Sequence, residues 1–263
     1  MDYETIEVAR RGVGLLITFN RPHALNAITP TLIAEVHQVV REVESDRSVR
    51  ALVLTGCGRA FCAGADLKES LALKQKHGPL SSVEHFLAPL QRLHKAIREL
   101  PLPVIAAVNG ICMAGGMETI LICDLVIAAR GAVFSDAHAR YGLLPALGGA
   151  QGLVRAVGPF RAKEMMFTAG RYSAEQMQAM GIVMDVVEDE RLEARVDELL
   201  ALLAERSPEG IARMKRMVND EAEMPWLQAS NYELSVATNH LASSANLMEG
   251  LRAFNEKRAP AFG

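Results

Sequence analysis

The stretch PVIAAVNGICMAGGMETILICDLVIAA, residues 103–129, decides the fold. It opens on an apolar run, PVIAAVNG (103–110), that stops at Asn-Gly, and closes on a second, DLVIAA (124–129). Runs this short, bounded by turn residues, read as strands buried on both faces. Between them a glycine turn leads into MAGGMETILIC (113–123), whose length and composition predict a helix. Strand, helix and strand in one span is the unit of an α/β layered core with crossover connections.

The pattern extends upstream. GLLITFN (14–20) and ALVLTG (51–56) read as strands, and from Pro30 onward apolar residues at Leu32, Ile33, Val36, Val39, Val40 and Val43 give helical spacing. CGRAFCAGAD (57–66) reads as a glycine-rich loop, KQKHGPLSS (74–82) as a mobile surface segment, and 83–99 as a helix. Beyond residue 158 strand signals nearly vanish and helical patterns run to 255, interrupted by GIVMDVV (181–187), Pro208 and Pro225. The expected organisation is a core over 1–195 and a C-terminal helical region over 196–263. That region is rich in methionine and alanine, which suits an oligomer interface as well as an ordinary core.

With 263 residues, half of them hydrophobic, the chain can bury one large core, and its net charge of −3 is spread along the sequence. Neither nucleic acid nor an anionic membrane is indicated as a partner. No apolar stretch reaches the roughly 18 residues that span a bilayer, and the acidic N-terminus reads as the approach to a strand and not as a signal peptide. Cys57, Cys62, Cys112 and Cys123 lack CxxC spacing and paired histidines, so free thiols in a reducing cytoplasm are expected and no metal site is.

TGCGRAF (55–61) superficially resembles a dinucleotide fingerprint, but Phe61 stands where the third glycine belongs. The loop instead offers small residues, Ala63-Gly64-Ala65-Asp66, that let a ligand approach the backbone. Ala114-Gly115-Gly116 does the same at a helix start, where unpaired N–H groups favour an anion. If the fold joins them, the amides near Ala65 and Gly115 form a two-donor oxyanion hole; if not, these glycines only permit tight packing. Glu118, one turn into the helix among apolar neighbours, is either a cap for its own helix or a buried general base.

Four segments together, NRPHALNAIT (20–29), GRAFCAGADLKE (58–69), AAVNGICMAGGMETILICDLVIA (106–128) and AFNEKRAPAF (253–262), resemble the crotonase family of enoyl-CoA hydratases and isomerases, in order and over essentially the whole chain. The resemblance implies an α/β spiral of repeated ββα units with a C-terminal helical region used in trimerisation, as a homotrimer or a dimer of trimers. It implies a coenzyme A thioester as substrate, with no permanently bound cofactor. Ala65 and Gly115 match the family's oxyanion donors and Glu118 its first catalytic carboxylate. Ala24, Ala63, Asp66, Leu67, Lys68, Phe254 and Lys257 match positions that line or approach CoA, the last two sometimes from a neighbouring subunit. His23 stands where related hydratases often carry lysine, and Asp124 is expected to be structural.

The family's second glutamate lies in a segment resembling FGxPExxxGxxPxxGG, and here that segment is FSDAHARYGLLPALGG (134–149). Ungapped registration puts His138 in place of the glutamate and Asp136 where hydratases usually carry an amide. Three chemistries remain open. His138 or Asp136 substitutes as acid or water holder, since an imidazole with a pKa of about 6.5 both donates and accepts, and hydration persists. Glu118 alone moves a proton between carbons as an isomerase, or it activates water against the thioester carbonyl as a hydrolase. A non-catalytic binding protein on the same fold is the reading of another class, and Arg140 is expected at the rim.

Overall fold

The computed structural model describes residues 3–263; Met1 and Asp2, with which the expected core begins, lie outside the described residues. A hairpin of β1 (Ile6–Arg11) and β2 (Gly14–Phe19) starts the chain. Helix α1 (Pro30–Ser45) follows, with Pro30 in its first turn and the Thr29 hydroxyl accepting from the Leu32 N–H. All six apolar residues picked out by spacing are buried in this helix. Each such side chain is worth about 1.5–3 kcal/mol relative to exposure.

Three ββ units then follow. β3 (Ala51–Gly56) and β4 (Ala60–Cys62) lead to α2 (Leu67–His77) and, through a π-helical turn at Val83–Leu87, to α3 (Ala88–Glu99). β5 (Val104–Val108) and β6 (Ile111–Met113) lead to α4 (Gly115–Ile120). β7 (Leu125–Ala129) and β8 (Val133–Ser135) lead to α5 (Gly149–Thr168), kinked at Gly158-Pro159. β9 (Tyr172–Ser173), α6 (Ala174–Ala179) and β10 (Asp185–Val187) complete the sheets. The first strand of each unit joins a six-stranded sheet of order β1-β2-β3-β5-β7-β10; the second joins a four-stranded sheet of order β4-β6-β8-β9. Each unit therefore turns a corner from one sheet to the other, and the repeat winds as a spiral.

The long sheet is parallel from β2 to β10, and its central strands β3, β5 and β7 are buried on both faces. Leu52 and Leu54 enter the main core with α1, α3 and α4, whereas Ala51 and Val53, offset by one residue, enter a second cluster. That cluster is closed by Leu192, Val196, Leu199 and Leu200 of α7 (Leu192–Ala204). The expected division at 195/196 falls inside α7, both halves of which pack on the sheet, so α7 belongs with the core. The last three helices, α8 (Pro208–Glu221), α9 (Trp226–Ser243) and α10 (Ala245–Glu256), bury little and leave Trp226, Leu234, Leu241 and Phe254 exposed.

Three local expectations change. Residues 113–123 are not one helix: Ile111–Met113 is a strand, and α4 spans only Gly115–Ile120. Apolar composition could not separate these states, because the run of apolar and small residues continues through both. Ala60–Cys62 is a strand inside the expected loop, and the first residues of the expected surface segment, 74–77, belong to α2, which Asp66 caps by accepting from the Lys68 and Glu69 N–H groups. Among the described residues no helix is long and apolar enough to cross a membrane, and the four cysteines are unpaired.

Candidate active site

Loop 20–29 is folded by its own polar residues. Asn26 is fully buried; its Oδ1 accepts from the Arg21 N–H, and its Nδ2 donates to the carbonyls of Cys57 and Ala60. Arg21 donates to the Ala27 carbonyl and pairs with Asp66 at 3.0 Å. The loop is thereby pressed against residues 63–66, where the Ile28 N–H donates to Gly64 and the Asp66 N–H donates to Ile28. In this bridge the N–H of Ala65 points away from Ile28 and has no acceptor among the backbone bonds of the described residues.

Gly64 carries φ +93°, and a Cβ there would lie 2.8 Å from the Ala114 Cβ and 3.1 Å from the Gly115 nitrogen. Only glycine lets the two turns approach this closely. A Cβ on Gly115 would in turn lie 3.7 Å from the Ala65 nitrogen, so the two amides expected to act together are neighbours in space. Gly115 opens α4, and its N–H has no carbonyl within the helix to bond.

Glu118, one turn into α4, is 3% exposed. It does not cap its own helix: its Oε1 accepts from the N–H of Leu147 at 2.8 Å and of Gly149 at 3.3 Å, in the turn before α5. Burial pushes its carboxyl above the usual carboxylate range, against the pull of the Leu147, Gly149 and Ala146 amides and of His138.

His138 faces it, with Nε2 3.8 Å from Glu118 Oε2 and Nδ1 3.1 Å from Asp136 Oδ2. The Asp136 contact is within hydrogen-bond distance of the ring nitrogen. Burial by itself would lower the imidazole pKa; the bond and charge of Asp136 and the charge of Glu118 outweigh it and hold the group above its ordinary value. Ala114 and Ala137 carry φ of 47° and 59° beside these groups. Such backbone costs an alanine about 1–3 kcal/mol and is retained where geometry is over-determined.

These groups converge on a cavity of about 370 Å³, whose wall includes Ala63, Ala65, Gly115, Glu118, His138 and Leu67. Phe86, Leu87, Leu90, Leu143, Leu144 and Leu147 make the rest of the wall largely apolar. A larger hollow of about 810 Å³ between α3 and α8 holds none of these groups and is rimmed by charged side chains such as Arg98, Glu99 and Arg216. Among the described residues no group of His, Cys, Asp and Glu could hold a metal ion.

The model of the enoyl-CoA hydratase/isomerase family matches residues 10–263. The chain belongs to this family. The 1,2-epoxyphenylacetyl-CoA isomerase of Escherichia coli is 37% identical, with 94% of each chain covered. The mitochondrial enoyl-CoA hydratase of Pongo abelii is 35% identical over 99% of this chain and 88% of its own. The crystal structure of an enoyl-CoA hydratase from Bacillus anthracis superposes with a TM-score of 0.92, covering 98% of this chain and 99% of that one at 31% identity. The spiral is thus the crotonase fold, as the sequence resemblance implied.

Within this family member, the residues matched to CoA contacts separate into two groups. Ala63 and Leu67 line the cavity; Ala24, Asp66, Lys68, Phe254 and Lys257 do not. Asp66 is occupied as the α2 cap and the Arg21 partner. Lys68, His23, Phe254 and Lys257 are exposed. Asp136 is buried behind His138 and does not line the cavity, Arg140 is exposed, and Asp124 bonds the Val104 N–H and Lys215. Composition gives no sign that Leu147 and Gly149 hold the base, or that Asn26 sets the donor turn. The NRPHALN segment had drawn attention to CoA contacts, not to scaffolding.

Proposed function

We propose that the protein adds water across the double bond of a 2-enoyl-CoA, with Glu118 and His138 as the acid/base pair. The observation that carries this reading is the placement of the two groups 3.8 Å apart in the wall of one cavity with the Ala65 and Gly115 amides. The thioester oxygen would sit on those amides, which are worth about 2.7–4 kcal/mol per donor to an enolate-like transition state. Glu118 as carboxylate takes a proton from water as its oxygen attacks the β-carbon. His138 as imidazolium gives a proton to the α-carbon, collapsing the enolate. Asp136 supports that imidazolium with its charge.

Coenzyme A arrives as part of the substrate, and this chemistry calls for no resident cofactor. On this reading the reaction belongs to fatty-acid or related acyl-CoA breakdown in the cytoplasm. Assembly as a trimer or dimer of trimers would cover the apolar residues on α9 and α10 and bring Phe254 and Lys257 toward a neighbour's CoA.

Isomerisation is the second reading, in which Glu118 would move a proton between carbons without water uptake; the 37%-identical isomerase acts on an epoxide of a CoA ester. Incubation with crotonyl-CoA and longer, branched and aromatic enoyl-CoA esters in ¹⁸O-labelled water separates the outcomes. Hydration is expected to consume enoyl absorbance and put the label on the β-carbon. A shifted double bond without label establishes the isomerase, and release of free thiol establishes a hydrolase.

A further inference from the structure

His94, on α3, is a buried polar residue that the reaction above does not use; it is 5% exposed and sits among apolar core residues. Its Nε2 lies 3.3 Å from Thr119 Oγ1. That hydroxyl donates its hydrogen to the Gly115 carbonyl at 2.8 Å, and with the hydrogen so placed its lone pair is open to an N–H at His94 Nε2. Burial lowers the ring's pKa to about 4, against the Leu147 carbonyl, which favours the charged form. Nδ1 has no aligned partner among the described residues.

An unpaired ring nitrogen in a dry core is a cost that a leucine of similar size would avoid. The histidine's position explains why the cost is tolerated. Gly115, reached through Thr119, carries one oxyanion donor, and Leu147, whose carbonyl acts on the same ring, donates 2.8 Å to Glu118.

We propose that His94 is a positioning residue: by bonding Thr119, whose hydroxyl bonds the Gly115 carbonyl, it holds the α4 turn that presents the Gly115 amide and Glu118 to one thioester. The inference rests on the reading of Gly115 as oxyanion donor and Glu118 as base. It goes beyond that reading by assigning a role to a residue outside the cavity wall.

The test measures α-hydrogen exchange of butyryl-CoA in D₂O, a reaction that needs only the base and the donors, whichever overall reaction the enzyme performs. His94→Leu and Thr119→Val are each expected to slow exchange about tenfold at saturation, with KM within about twofold of the unaltered chain. His94→Gln, which keeps a donor near Nε2, is expected to restore most of the rate. The double variant is expected to be no slower than either single one. Wild-type rate in His94→Leu, no rescue by glutamine, or losses that multiply would each overturn the proposal. Where His94→Leu does not fold, Thr119→Val and His94→Gln decide, and exchange at the wild-type rate in Thr119→Val overturns it. Absence of exchange in the unaltered chain condemns the proposed function instead.

Discussion

The two walls of the cavity are built on different principles. One is backbone: Ala65 and Gly115 offer amides, and their side chains contribute only by being small enough to stay clear. The other is side chain: Glu118 and His138 line it, with Asp136 buried behind His138, and each carries a charge or proton affinity that burial and neighbours can set. A backbone wall tolerates no change of shape, whereas a side-chain wall can exchange one acid for another. That difference explains how histidine can stand where the family's hydratases carry glutamate while the glycines opposite remain.

The comparison breaks at its most sensitive point with Glu118→Gln, which keeps the shape and removes the base. Turnover of any CoA ester is expected to fall by up to about 10⁴-fold, read from enoyl absorbance, and unchanged turnover would remove Glu118 from the reaction. The same variant has an opposite effect on stability. The Glu118 pKa is raised on folding, so its contribution is fully present below the unfolded value and lost as pH rises through the folded one. The melting temperature of Glu118→Gln should therefore gain on the unaltered chain as pH increases.

Gly64→Ala tests the backbone wall. Its Cβ would meet the Ala114 Cβ at 2.8 Å on a backbone with φ +93°, displacing the donors, and a fall in kcat of about 10²–10³-fold is expected. A variant that folds and turns over normally would show that the amides are not the donors.

Exchange within the side-chain wall is expected to be milder. His138→Ala should cost about 10²-fold, and His138→Glu should recover much of it on crotonyl-CoA, because both residues can carry the proton to the α-carbon. Equal loss in both variants would mean that His138 shapes the pocket without transferring a proton.

The smallest effect is a displacement along the pH axis. If Glu118 must be ionised and His138 protonated, kcat/KM is bell-shaped, and both limbs lie above the groups' ordinary values because both pKa values are raised. Asp136→Asn removes a charge that raises His138, so the alkaline limb should move to lower pH while the acid limb stays nearly in place. An alkaline limb that does not move would separate Asp136 from the titration of His138.

Sequence alone determined the layered α/β core, the six buried positions of α1, and the small residues at 63–65 and 114–116. These features are local: hydrophobic period and the absence of a Cβ act over a few residues and leave a direct trace in the order of amino acids. The boundary between β6 and α4 left no trace, because apolar and small residues run through both. Tertiary structure decided which groups meet. Glu118 accepts from amides 29 and 31 residues away, and the ring of His94 reaches Thr119 across 25 residues. The proton affinity of a carboxyl or an imidazole depends on the dielectric and charges within a few ångströms of it. For Glu118, Asp136 and His138 those neighbours are supplied by the winding of the spiral, so the residues could be named from the sequence while their chemistry waited on the fold.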